Sequence, residues 1–198
     1  MSDRLFAATS IEINDDNDTD FKWHLTVDEC NSIIELAKDQ MKTAKINAIS
    51  TGGQSVAEEV RKTEVAVLEY DERTEWIYER LGSAIKDVAL DFWPFKIDDA
   101  QPIQILKYHD GGHYDTHIDL GPLDAAYRKI SFTLQLSDPD SYEGGELEIY
   151  ANSQFNKATR EQGALTMFPS YILHKVNPVT SGTRYALVAW FCGEQPFY

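Results

Sequence analysis

The chain has 198 residues, 33 acidic against 18 basic for a formal net charge of −15, and 42% of them are hydrophobic. That length and apolar content suffice for one domain with a substantial core, and no shift in composition divides it. Charge of this sign and size repels phosphate backbones and anionic headgroups, which argues against a nucleic-acid substrate and leaves a basic protein or peptide partner compatible.

The N-terminal "MSDRLFAATSIEINDDNDTD" lacks a basic region followed by an apolar run, and nowhere do about 18 apolar residues stand together. A cytoplasmic protein with no membrane span is therefore expected. Cys30 and Cys192 lie far apart in sequence and form no metal-binding or disulfide spacing, so both are read as packing residues in a reducing compartment. The acidic run from Asn14 to Asp20 predicts a loose N-terminal segment over residues 1–20. Thr26 with Glu29 forms a capping box, and Val27, Cys30, Ile33, Ile34, Ala37 and Met41 then recur at the steps of one buried helical face. Asn47 to Val60, "NAISTGGQSVAEEV", is a polar loop of the length at which function or disorder becomes more common than a plain connection. "RKTEVAVLEY" alternates as a strand. A second helix is expected after Asp71, carried by Trp76, Ile77, Leu81, Ala84, Ile85, Val88 and Phe92 and stopped by Pro94.

From Gln101 the pattern changes to seven short runs bounded by turn residues, namely "PIQILKY", "HYDTHID", "KISFTLQL", "GELEIY", "ALTMFP", "YILHKV" and "TRYALVAWF", with no good helix among them. Two helices followed by seven strands predict a single α+β domain, residues 1–198. Its β part is a jelly roll or a barrel, with the helices buttressing one sheet.

Residues 107–121, "KYHDGGHYDTHIDLG", hold three of the chain's five histidines. On an extended strand, residues two apart share a face about 6 to 7 Å from one another, so His117 and Asp119 can reach one metal ion while Ile118 points away. His113 stands four residues before His117, about 13 Å along a strand and beyond joint ligation. Of the remaining histidines, His174 in "FPSYILHKV" is taken as the third ligand. A face of two histidines and one carboxylate leaves neighbouring positions open, which suits Fe(II) chemistry that binds a co-substrate and dioxygen together. Arg184 starts the strand "TRYALVAWF" on the face that also carries Ala186, Val188 and Trp190. A guanidinium there either meets a small-molecule carboxylate or reaches solvent or an internal acid.

The segments "LKYHDGGHYDTHID", "RKISFTLQLSDPDSYEGGELEIY" and "GALTMFPSYILHKVNPVTSGTRYALVAWFCG" together resemble the Fe(II)- and 2-oxoglutarate-dependent dioxygenases, most closely their prolyl 4-hydroxylase-like branch. The resemblance runs from Ile103 to Gly193 and makes residues of about 101–193 the catalytic core. "VRKTEVAVLEYDERTEWIYERLGSAI" also looks like the region that precedes the core in bacterial and viral members.

This resemblance implies a double-stranded β-helix, the distorted jelly roll of that family. It implies Fe(II) held by His117, Asp119 and His174, and 2-oxoglutarate paired through its distal carboxylate with Arg184 and hydrogen-bonded by Tyr108. It implies hydroxylation of a prolyl residue in a protein or peptide, with O2 consumed, 2-oxoglutarate decarboxylated to succinate, and ascorbate as reductant. Related halogenases lack the carboxylate ligand, so Asp119 points to hydroxylation. Tyr114 and Arg128 match positions that border the substrate channel, Arg61 follows the place of a mobile substrate lid at residues 47–60, and Trp190 is expected on the inner wall or in the core. The same mechanism on a free amino acid or another side chain stays open, as does a non-catalytic metal-binding jelly roll; a nucleic-acid demethylating dioxygenase is opposed by the charge and the lack of a basic stripe.

Overall fold

The computed structural model of the chain describes residues 11–13, 24–44, 46–48, 53–55, 57–85 and 92–196. The first helix, α1 (Val27–Ala37), begins where its capping box predicts: Glu29 N–H donates to Thr26 Oγ1 at 3.2 Å, and Thr26 N–H donates to the Glu29 carboxylate at 2.8 Å. It buries Cys30, Ile33 and Ala37, and a 3-10 turn over Lys38–Gln40 then ends it, so Met41 lies beyond the helix whose face it was expected to extend. The second, α2 (Glu75–Ala84), buries Ile77, Leu81 and Ala84. Its expected continuation through Val88 falls on residues 86–91, outside the described ones.

The strands are β1 (Ile11–Ile13), β2 (Lys42–Thr43), β3 (Ile46–Ala48), β4 (Gly53–Ser55), β5 (Arg61–Lys62), β6 (Glu64–Leu68), β7 (Asp99–Ala100) and β8 (Ile103–His109). They continue as β9 (His113–His117), β10 (Arg128–Gln135), β11 (Tyr142–Gly144), β12 (Leu147–Ala151), β13 (Gln154–Lys157), β14 (Leu165–Pro169), β15 (His174–Val176) and β16 (Val179–Cys192). The larger sheet runs β1-β14-β10-β16-β8-β6-β2, with β7 and β11 also pairing along β16, and the smaller runs β13-β12-β15-β9-β5. Every pairing between described strands is antiparallel. From β8 onward the chain passes back and forth between the sheets: β8, β10, β14 and β16 belong to the larger, β9, β12 and β15 to the smaller. That alternation is the double-stranded β-helix, a jelly roll.

Period-2 side-chain alternation gives the larger sheet two different faces. Ile103, Ile105, Ile130, Leu134, Leu187 and Ala189 pack outward against Ile33 and Ala37 of α1 and Ile77 and Leu81 of α2 in the main core. The opposite face meets Leu147, Ile149 and Val176 of the smaller sheet around Leu106, Tyr108, Phe168 and Val179 in a second core. The helices therefore buttress the sheet from outside, and the space between the sheets is left for the site.

Several runs are shorter or more broken than their patterns suggest. Only His174–Val176 of "YILHKV" is strand, "HYDTHID" stops pairing at His117, and 3-10 turns over Leu123–Tyr127 and Pro139–Ser141 interrupt a region expected to hold no helix. Within the expected polar loop of residues 47–60, β3 and β4 pair as a hairpin; residues 49–52 and 56 lie outside the described ones. Within the segment expected to be loose, Ile11–Ile13 pairs with β14, and residues 1–10 and 14–20 lie outside the described ones. Among the described residues no helix is long and apolar enough to cross a membrane.

Candidate metal centre and its cavity

The smaller sheet brings together two histidines that are far apart in sequence. β15 pairs antiparallel with β9 so that His174 stands directly opposite His117, and the two rings approach to 4.2 Å between centroids. Each ring donates from Nδ1 to a main-chain carbonyl, His117 to Asp115 O at 2.7 Å and His174 to Ile172 O at 3.0 Å. A carbonyl only accepts, so Nδ1 carries the proton and Nε2 of each ring is left with a free lone pair. Burial, then the neighbouring His174 ring, pushes the His117 imidazole down from 6.5 to about 4, which keeps it neutral and able to ligate.

Asp119 reaches the same point by another route. It lies past the end of β9, not on it, so the face-sharing expected of one strand is replaced by anchoring from outside: Asp119 N–H and Leu120 N–H both donate to Ser170 O, at 3.0 and 3.2 Å. Its carboxylate stands 3.8 Å from His117 Nε2 and 3.6 Å from His174 Nε2. Ser131 Oγ donates to Asp119 Oδ2 at 2.5 Å, and Ser170 Oγ lies 3.0 Å behind Ser131. Burial pushes the Asp119 carboxyl up, but His174, His117, Ser131 and Arg128 outweigh it and hold the group below the ordinary carboxylate range. One ligand atom from each of His117, Asp119 and His174 lies within 4.8 Å of the others. Two imidazole nitrogens and an ionised carboxylate on one side, open on the other, fit a divalent ion of the Fe(II) type.

These groups line a cavity of about 210 Å³ between the sheets. Arg184 enters it from β16 opposite Tyr108 of β8, and Ala186, Val188 and Trp190 of the same strand face line it as well. Arg184 is only 2% exposed; its Nε–H donates to Gln135 Oε1 at 3.1 Å, and its guanidinium lies 5.5 Å from the Tyr108 ring centroid. Among the described residues no carboxylate pairs with it. A buried guanidinium that faces a cavity with no carboxylate within ion-pair distance is complementary to a ligand carboxylate. Gly145 of "YEGGEL" makes room for it: at φ +67° a Cβ there would come within 3.2 Å of Arg184 Cδ and 2.7 Å of Val179 Cγ2. Burial raises the Tyr108 hydroxyl above its usual range, so it stays a neutral donor.

The four residues expected near a substrate also line the cavity. Tyr114 stacks on His117 at 3.6 Å, and the Arg61 guanidinium lies 4.7 Å from the Tyr114 ring. Arg128 lies 3.7 Å over Trp190 and donates from Nη1 to Asp119 O at 3.2 Å. The other histidines are elsewhere: His24 beside Gln162 O, His109 beside Glu64 and Asp110, His113 beside Gly111 O. Ser131, Ser170 and Gln135, which hold Asp119 and Arg184, were not singled out from sequence. Their signal was present for two of them, since Ser131, Thr133 and Gln135 alternate with Ile130, Phe132 and Leu134 in "KISFTLQL".

A jelly roll with this donor set facing an inter-sheet cavity defines a class, and the comparisons agree with it. The model of the 2OG-Fe(II) oxygenase superfamily matches residues 103–192. The chain's fold is shared with solved prolyl hydroxylases. A prolyl hydroxylase from Trichoplax adhaerens, solved with a peptide fragment of the hypoxia inducible factor oxygen degradation domain, superposes with a TM-score of 0.75 at 16% identity over 96% of this chain and 86% of that one. A Pseudomonas putida prolyl-4-hydroxylase gives 0.68 at 17% identity over 97% and 96%. In sequence, a PKHD-type hydroxylase of Idiomarina loihiensis is 42% identical over 98 residues, 48% of this chain and 45% of that one. The chain thus spans about half the length of the curated relatives it matches.

Proposed function

We propose that this chain is a Fe(II)- and 2-oxoglutarate-dependent hydroxylase acting on prolyl residues of a protein or peptide. The observation that carries the proposal is the convergence of His117, Asp119 and His174 in one cavity with a buried Arg184 that has no carboxylate partner among the described residues. The names borne by the similar proteins, PKHD-type hydroxylase and prolyl hydroxylase, support a prolyl target. When bound, Fe(II) with 2-oxoglutarate and O2 supplies oxidation of a C–H bond, one oxygen atom going to the product and one to succinate as CO2 leaves.

The chain's residues divide the remaining work. His117 Nε2, His174 Nε2 and Asp119 would hold the ion, and the Nδ1–H bonds to Asp115 O and Ile172 O keep both rings turned so that the lone pairs meet it. Ser131 fixes the carboxylate orientation. Arg184, positioned by Gln135, receives the distal carboxylate of 2-oxoglutarate in bidentate fashion, and the neutral Tyr108 hydroxyl donates to the same molecule. Leu106, Leu147, Phe168 and Val176 make that end of the cavity apolar, which excludes water and strengthens the arginine's hold. Tyr114, Arg128, Arg61 and Trp190 stand where a substrate side chain enters, and ascorbate serves as reductant for the resting ion.

Purified protein given Fe(II), ascorbate, 2-oxoglutarate and a proline-containing peptide is expected to release succinate and to add one oxygen atom to proline by mass spectrometry. Succinate formed equally with and without prolyl substrate, and no added oxygen, overturns the prolyl assignment. Failure to bind Fe(II) at all overturns the enzyme assignment.

A further inference from the structure

We propose, resting on the hydroxylase reading above, that Arg61 and Arg128 form a clamp for a carboxylate carried by the substrate beside the hydroxylated ring, so that the substrate class is an anionic prolyl compound. The carboxylate belongs either to an acidic residue next to the proline in a peptide or to the α-carboxylate of a C-terminal or free proline.

The two arginines flank the metal centre from opposite ligands. Arg61 lies over Tyr114, whose ring stacks on His117, and Arg128 donates to the main-chain oxygen of Asp119. Both are held on aromatic faces, Arg61 at 4.7 Å from Tyr114 and Arg128 at 3.7 Å from Trp190, so their planar forks are oriented before any ligand arrives. Neither has a carboxylate within ion-pair distance among the described residues. Arg61 Nε is buried without a hydrogen-bond partner, and Arg128 uses only Nε, toward Gln101 at 2.8 Å, and Nη1. Buried donors that the protein itself leaves unmatched call for an acceptor from outside.

A charged acceptor answers the geometry better than a neutral one. Arg61 and Arg128 line the same cavity, so two like charges repel across its mouth. Asp119 counters part of this, but its charge is committed to the ion, and Arg184 is committed to the co-substrate. A peptide carbonyl would fill the donors and leave two like charges in a poorly solvated mouth, whereas a carboxylate neutralises one and bridges both. The chain's net charge of −15 does not oppose this, because charges beyond about 8 Å are screened at physiological ionic strength while contacts in the mouth are not.

The test is a matched panel given to the full chain loaded with Fe(II) and 2-oxoglutarate: capped peptides with Asp or Glu, Ala, or Lys beside proline, a peptide ending in free proline and its amide, and free proline and prolinamide. The same panel is titrated for binding with Mn(II) in place of Fe(II), followed by tryptophan fluorescence. Each carboxylate member is expected to bind and turn over about tenfold or more better than its neutral partner. Preference for the acidic-neighbour peptide identifies a side-chain carboxylate, and preference for free proline over the amides identifies an α-carboxylate. Arg61→Gln and Arg128→Gln are expected to erase the preference while 2-oxoglutarate affinity is kept, and Arg128→Lys, which keeps charge without the fork, is expected to restore part of it. Turnover of all prolines without preference for a carboxylate overturns the clamp and leaves the hydroxylase reading standing. Carboxylate-selective binding with no oxygen added to any proline keeps the clamp and overturns the prolyl reading.

Discussion

On β8, β10 and β16, the side facing the helices is Ile103, Ile105, Ile130, Leu134, Leu187 and Ala189, while the side facing the smaller sheet carries Gln104, Tyr108, Ser131, Gln135, Arg184 and Trp190. The same backbone, hydrogen-bonded in the same ladders, thus presents an apolar wall on one side and a polar one on the other. The apolar side is stabilised by area removed from water and tolerates no charge. The polar side gains little from burial, yet its groups are held by one another: Gln135 on Arg184, Ser131 on Asp119, Asp119 O on Arg128. A rigid hydrophobic backing lets an unfavourable set of polar groups stay in place, so stability and chemistry separate across one sheet thickness.

The separation is broken most severely from the helix side. Leu134, fully buried and absent from the cavity, is expected to cost about 4 kcal/mol of unfolding free energy when changed to alanine. Denaturant titration measures it, and Fe(II) affinity of the protein that remains folded should be unchanged. A large loss of metal affinity at full folding would mean that the two faces are coupled. On the cavity side, Arg184→Ala is expected to lose about 3 kcal/mol of 2-oxoglutarate binding, roughly a hundredfold, with metal affinity nearly intact. Calorimetry with each ligand decides it, and equal loss of both would show that Arg184 supports the fold. Ser131→Ala removes the donor to Asp119 and is expected to weaken Fe(II) binding by 10- to 100-fold, about 2 kcal/mol, with a smaller change in melting temperature.

How much of this was readable beforehand follows the same division. The helix-side face was legible because apolar periodicity reports burial directly: the capping box, the three- and four-residue steps of α1 and the alternation in β6 and β10 all describe contacts that exist. The cavity side was legible only in parts. His117 and Asp119 were visible as a spaced pair, but the strand argument for them was incomplete, since β9 ends at His117 and Ser170 holds Asp119. His174 meets His117 through strand register, a long-range choice that no local spacing encodes. β13 escaped notice because all four of its residues are exposed, leaving no alternation to read. Gln135 and Ser131 stand in an alternating strand, and alternation alone does not tell a solvent-facing polar side from a buried one, as here, where both faces are buried.

The mildest test of the division uses pH and a residue on the helix side. Cys30 of α1 is fully buried in the main core, and burial, with Glu29 adding to it, pushes its thiol up from 9.0 to about 12. An unfolded chain releases that proton near pH 9, whereas the folded chain holds it until about 12. The folded state therefore binds more protons in this window, and stability that is fully present below pH 9 falls as pH rises toward 12. The decline should be at most about 1.4 kcal/mol per pH unit from this one group. Comparing urea midpoints at pH 8 and pH 10 for the parent and Cys30→Ala isolates it, because alanine removes the titration at a packing cost that is the same at both pH values. The parent should lose more between the two pH values than the variant does. Equal losses would mean that water reaches Cys30 in the folded state, and that the core between the helices and the larger sheet is less sealed than its packing implies.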